Sequence, residues 1–345
     1  MKNKNIKYKK AINLALHHAM SKDKNVMLMG LGVGDPKNVF ETTEGLKEKF
    51  GEKRVFDVPC SENALTGICI GYGIKKKAIL THQRFDFMLL SFDQLINNAA
   101  KMHFMYGGNL STNITIRTIV GKGWGQGPTH SQNFQAFLGS IPGLKVYFPF
   151  DSNDVYNVLY NSIFDPNPTI IIEHRWLYEL FSKVKLINKI SLAKKINTGK
   201  TATIVCMGNT VLDAYVINKI FYLKNIRFDI IKLVSINPLN TSLIVKSIKK
   251  TKKLILLEPA NKSMSISSEI ISRLKILGLS FESMIISNKE IPVPTSFFLS
   301  KKVYPEIKEM VNKICKFLSI KKKFNLKNFE RKLHDIPNKN FKGPF

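Results

Sequence analysis

Short apolar runs, each closed by glycine, proline or a polar cluster, alternate along this chain with stretches of helical period. Val26-Met27-Leu28-Met29 runs into Gly30, Ala78-Ile79-Leu80-Thr81 into His82, and Asn113 to Val120 into a glycine-rich loop. Strands that alternate with helices build a mostly parallel sheet flanked by helices, because parallel neighbours need a crossover. The second half repeats the pattern, with strands expected at 201–207, 227–233, 253–258 and 283–287 and helices at 210–223, 241–250, 266–277 and 304–318. The expectation is an α/β chain of two domains, which a length of 345 residues also favours. The boundaries expected are 1–178 and 199–320. A linker at 179–198, where periodicity fades, separates them, and a basic, aromatic tail follows at 321–345. That tail either packs on a partner or stays disordered.

Composition excludes several classes. No apolar run reaches the roughly 20 residues that span a bilayer. The basic N-terminus runs into an amphipathic helix and lacks the apolar core of a secretory signal, so a cytoplasmic location is expected. Cys60, Cys69, Cys206 and Cys315 form no CxxC pair, which argues against a zinc site or a disulfide framework. His17, His18 and His103 have no metal-ligand company, and no metal site is expected. The net charge of +28 invites a nucleic-acid reading. Most of the excess, however, is lysine scattered through the second half, the pattern of solvated faces. No specific nucleic-acid partner is expected, although non-specific attraction to polyanions follows from such charge.

Ligands of open α/β sheets bind outside the carboxyl ends of the strands. Four polar clusters fall there: Gly30–Gly34, Pro59–Glu62, His82–Phe87 and Gly121–Gln132. Glu62 begins a small apolar helix after Ser61, which can cap it. Alone, an acid in a first turn is a helix-start device favoured by the macrodipole. Phe85 and Phe87 alternate with Arg84 and Asp86, either as half-buried strand residues or as an aromatic wall for a planar ring. His130 lies beside the loop Gly121-Lys-Gly-Trp-Gly-Gln-Gly127, which has neither a GxGxxG fingerprint nor the Gly-Lys-Ser/Thr of a phosphate loop. Arg117 is expected to pair with an acid, Glu173 or Glu62.

The motifs together resemble a known group. Val26-Met-Leu-Met-Gly30, Phe50-Gly-Glu-Lys-Arg-Val-Phe-Asp57, Pro59-Cys-Ser-Glu62 with Thr66-Gly67, and Phe92-Asp-Gln-Leu-Ile-Asn-Asn-Ala-Ala-Lys101 carry the likeness. So do Arg117 with His130-Ser-Gln132, Pro142-Gly-Leu-Lys-Val146, Asn167-Pro168 and Ser235-Ile-Asn-Pro-Leu-Asn240. The chain resembles the beta subunit of the thiamine-diphosphate-dependent component of 2-oxo-acid dehydrogenase complexes, of the pyruvate, branched-chain and acetoin types, related to transketolase. The resemblance implies a pyrimidine-binding domain followed by a transketolase C-terminal domain. It matches Glu62 to the acid that hydrogen-bonds a ring nitrogen of the cofactor's aminopyrimidine and promotes the imino tautomer that deprotonates the thiazolium. It matches Phe87 to the aromatic residue packed on that ring, with Phe85 close by, and Cys60 to a position where the family usually has Ile or Leu. His130 matches a histidine facing the reacting carbon.

Some positions depart from the pattern. Leu31-Gly32 stand where family members commonly carry acids that couple two active sites. The loop 123–127 and Gln83-Arg84 alter the substrate pocket. No GDG…Asn motif for the diphosphate and its magnesium occurs in the chain. The resemblance therefore implies an alpha subunit that binds magnesium, in an α2β2 assembly, and allows a lipoyl acyltransferase as a further partner. Two other functions stay open: the C-terminal half of a split transketolase-like enzyme of sugar or surface-polysaccharide synthesis, and a non-enzymatic basic polyanion-binding protein. The residues leave open the 2-oxo acid or sugar and the acyl acceptor.

Overall fold

The computed structural model describes residues 4–35, 37–122, 125, 127–186, 189–331 and 333–337. A seven-stranded sheet has the spatial order Ser235–Asn237, Lys145–Tyr147, Thr169–His174, Ile114–Val120, Lys77–His82, Val26–Gly30 and Val55–Phe56. All neighbours run parallel except Ser235–Asn237, which is antiparallel to Lys145–Tyr147. A five-stranded sheet has the order Glu282–Asn288, Lys253–Asn261, Thr203–Met207, Asp229–Leu233 and Ala193–Asn197, with only the last antiparallel.

The central strands are buried at every position in Val26–Gly30, Ile114–Val120, Thr169–His174, Thr203–Met207 and Asp229–Leu233. Burial at every position, not at alternate ones, is what a sheet covered on both faces requires. One cover is Tyr8–Lys22, whose Ala11, Ile12, Ala15, Leu16 and Ala19 are fully buried. It packs beside Ser152–Ile163, whose start is fixed by Asp151 accepting from Asp154 N at 2.8 Å. Cys69 and Cys206 are buried free thiols, and desolvation pushes the Cys69 thiol up to about 12.

The two halves are bound closely. Within 179–198, Phe181–Val184 pairs with Lys4–Lys7, and Ala193–Asn197 completes the second sheet. From the second half, Ser235–Asn237 caps the edge of the first sheet, and Lys232 reaches Asp151 Oδ2 at 2.5 Å and also Asp154. Lys194 adds a second contact to Asp154 at 2.7 Å. Each of the two apolar cores draws residues from both halves.

Three local expectations change. The helix expected over 89–105 is a 3₁₀ turn at Leu89–Ser91, a π-helix at Gln94–Ala99 and an α-helix at Ala100–Met105. Ser61 precedes the helix Glu62–Gly73 without capping it, and its φ of −156° and ψ of 68° differ from a capping geometry. The described part of the tail folds back: the Asp335 carbonyl accepts from Trp176 Nε1 at 2.8 Å, and Arg331 pairs with Asp213.

Candidate active site

Because Val26–Gly30, Val55–Phe56, Lys77–His82 and Ile114–Val120 are parallel, their carboxyl ends share one rim. The described residues of the four polar clusters therefore meet there, and specific contacts tie them together. Gln83 Nε2 donates to Leu31 O at 2.9 Å, and Gly32 N donates to Asp57 Oδ1 at 2.9 Å. Gly32 sits at φ +78°, and a Cβ there would lie 2.0 Å from Gln83 Nε2. The Leu31-Gly32 departure thus has a physical partner: the Gln83 side chain fills the space beside Gly32.

Glu62 opens its helix and is half-buried. Its carbonyl accepts from Thr66 Oγ1 at 2.7 Å and from Ser91 Oγ at 3.1 Å, and the two hydroxyls are 2.8 Å apart. Those bonds fix the first turn against the segment that follows Phe87. Among the described residues, the Glu62 carboxylate has neither an ion pair nor a hydrogen bond, so it is available to a ligand atom.

Phe85–Met88 is one helical turn that begins where the strand Lys77–His82 has ended. It buries Phe85 edge-on against Phe134, with ring centroids 5.7 Å apart. Phe87 instead meets His130 edge-on at 5.4 Å, with the ring planes at 90°. His130 ends the short turn Pro128–His130, and its Nδ1 lies 2.9 Å from Thr129 Oγ1. Cys60 is exposed on the rim.

Asp86 belongs to no motif in the sequence, yet the fold gives it a role. Its Oδ1 accepts from Gln132 Nε2 at 2.8 Å, so it pins the loop carrying His130 to the turn carrying Phe87. Burial raises the pKa of its carboxyl, offset in part by the Gln132 bonds and the nearby His130. The signal was its place between two aromatics, four residues past the strand's end.

Arg117 sits deep in the rim. Its Nε donates to Glu173 Oε1 at 2.7 Å and its Nη2 to Glu173 Oε2 at 3.0 Å. Thr42 and Tyr178 add bonds, and both charged side chains are fully buried. Arg117 therefore pairs with Glu173, not Glu62, and its role is to brace the sheet. The loop residues Gly123, Trp124 and Gln126, expected to alter the pocket, lie outside the described residues. Among the described residues no group of three or more His, Cys, Asp or Glu side chains could hold a metal ion, and no helix is long and apolar enough to cross a membrane.

Residues 4–179 match the family described as transketolase, pyrimidine binding domain, and residues 192–296 match transketolase, C-terminal domain. The pyruvate dehydrogenase E1 component subunit beta of Saccharomyces cerevisiae mitochondria is 31% identical over 330 residues, covering 92% of this chain and 90% of that one. The chain belongs to the family of pyruvate dehydrogenase E1 component beta subunits. The Rickettsia felis family member is 32% identical over 321 residues, covering 90% and 98% of the two chains. The likeness in fold extends to a solved split-gene transketolase, described as an inactive β4 tetramer. It has a TM-score of 0.73 at 16% identity and covers 92% of this chain and 99% of that one. The thiamine-diphosphate-dependent character of the family fits a rim that offers an unpartnered half-buried carboxylate and an aromatic face.

Proposed function

We propose that this chain supplies the aminopyrimidine-binding half of a thiamine-diphosphate-dependent 2-oxo-acid dehydrogenase, an oxidoreductase, with residues 1–178 as the pyrimidine-binding unit and 199–320 as the C-terminal unit. The observation that carries it is Glu62: its backbone carbonyl is held at the helix start by Thr66 and Ser91, while its carboxylate is free of any described partner. Such a group can share a proton with a ring nitrogen held on the Phe87 face. When bound, thiamine diphosphate supplies the electron sink for decarboxylation. Glu62 holds the proton at the ring nitrogen, while Phe87 and Cys60 shape the wall beside it; Phe85, fully buried against Phe134, backs that wall without facing the ligand. His130, braced by Phe87 and by the Asp86–Gln132 link, handles a proton or a carboxylate at the reacting end.

The alpha subunit of the E1 component is the partner this reading requires, because the chain contains no diphosphate and magnesium motif. Exposed Ile68, Leu90, Phe104, Met105 and Tyr106 lie on the helix begun by Glu62 and on the broken helical stretch beside it. Phe104 is 88% exposed, which suits a surface that a subunit covers. An α2β2 assembly that places magnesium on the alpha side follows. A lipoyl acyltransferase as acyl acceptor and a cytoplasmic location complete the reading.

The test is Glu62→Gln, purified with the alpha subunit. Exchange of the thiazolium C2 proton, followed by NMR, is expected to slow by about 100-fold or more. Wild-type exchange in a correctly assembled variant overturns the reading.

A further inference from the structure

Behind the His130 loop, where the carboxyl ends of Ile114–Val120 and Thr169–His174 meet the second domain, lies a cleft of about 810 Å³. Its wall carries polar groups that take no part in the proposed cofactor chemistry. Lys122 and His174 are 7% and 2% exposed. The Lys122 ammonium has no hydrogen bond or ion pair among the described residues. It rests over the rings of Trp176 at 5.0 Å and Tyr304 at 5.2 Å. The acids around the cleft are already engaged. Glu258 accepts from Gln135 Nε2 at 2.5 Å and from Ser267 N and Oγ, Asp213 holds Arg331, and Glu290 holds Ser263. The nearest acid acting on it, Asp213, is already paired with Arg331, and a buried cation left unpaired costs free energy that an anion would recover.

Two further sets of groups define the ligand. His174 Nδ1 accepts the Trp176 N–H at 3.2 Å, which leaves the Nε2 proton as a donor. Gln135, Ser131 and Asn133 line the same wall; Gln135 Oε1 and Asn133 Oδ1 are buried acceptors and Ser131 Oγ a buried hydroxyl, all three without partners just beneath its surface. Unpaired buried acceptors ask for hydroxyl donors. We propose that this cleft is a second binding site for a small hydroxylated anion, its carboxylate or phosphate on Lys122 and His174 and its hydroxyls on Gln135, Ser131 and Asn133. Because Ser131 and Asn133 lie within three residues of His130, an occupant touches the loop of the candidate active site from behind.

Burial brings the Lys122 amine down to about 8, with Asp213 opposing and Arg331 reinforcing the shift, so the amine is reactive near that pH. The full-length chain is acetylated at pH 8 with and without glycerol 3-phosphate, glycerate or glycerol, and modification at Lys122 is read by mass spectrometry. Protection of at least fivefold by either anion, with none by glycerol, is the expected result. Protection by glycerol 3-phosphate alone assigns a phosphate ligand, and protection by glycerate alone assigns a hydroxy acid. In calorimetry, Lys122→Gln is expected to weaken that anion at least tenfold, and Lys122→Arg to retain it. Equal labelling under all conditions, equal protection by glycerol, or unchanged binding by folded Lys122→Gln overturns the proposal. Should Lys122→Gln fail to fold, the labelling of the wild-type chain decides.

Discussion

His82 shows how much one side chain can cost at the rim. It ends a central strand, is fully enclosed, and leaves Nε2 without a partner. Burial brings its pKa from 6.5 to about 4, so the folded protein holds the neutral ring. The linked stability is fully present above pH 6.5 and is lost as pH falls toward 4. Protonation in the unfolded chain alone costs about 2 kcal/mol at pH 5. His82→Phe is expected to remove that acid-side loss, flattening the melting temperature between pH 7 and pH 5. A wild-type pH profile in the variant rules this out. Residues of this kind were only half legible from the sequence. Glu62, Phe87 and His130 stood out by motif and by position at strand ends. Asp86 and Lys122 did not, because their significance lies in Gln132 and in Trp176 and Tyr304, which only folding brings near.

At the scale of elements, periodicity located strands and helices well wherever both faces of the sheet are covered. It missed breaks that depend on packing. The run 89–105 has a good apolar stripe, yet its middle winds as a π-helix at Gln94–Ala99. Such insertions often accompany functional sites, and here the adjoining Ser91 holds the Glu62 turn. The end of the same stretch sets a tight limit on a neighbouring turn. Gly143 has φ +97°, and a Cβ there would lie 1.9 Å from Ala100 O. Both the backbone angle and the contact forbid a side chain. Gly143→Ala is expected to destabilise the protein by more than about 1 kcal/mol, checked by urea unfolding. A neutral result indicates that the turn shifts freely.

At the scale of the whole molecule, the docking of the two halves depends on a charge buried between them. Burial pushes the Asp154 carboxyl up, but Lys232 and Lys194 outweigh it and hold the group below its ordinary 3.8. That stability is present above the unfolded-state value and is lost as pH falls through the folded one. Lys232→Met leaves a buried carboxylate with Lys194 alone and is expected to cost about 3–5 kcal/mol. Denaturant unfolding at pH 7 measures the loss, and the variant's acid-side slope below pH 4 should shrink. Little of this was legible in the chain. A sequence read in order places Asp154 at a helix start and Lys232 in a strand 78 residues later, with nothing local to join them. Periodicity fades over 179–198 because the strands there are short and pair with partners far along the chain.

The strand Ser235–Asn237 has a consequence for how such a protein can be divided. A gene can be cut at the connector, but the folded molecule cannot. A fragment ending there would lose the short antiparallel strand that closes Lys145–Tyr147. Its row of unpaired N–H and C=O groups would become a template for another copy. The unit recognised by sequence and the unit that folds cleanly are therefore different lengths of chain. Anyone producing the pyrimidine-binding half alone should expect aggregates unless residues 235–237 are supplied with it.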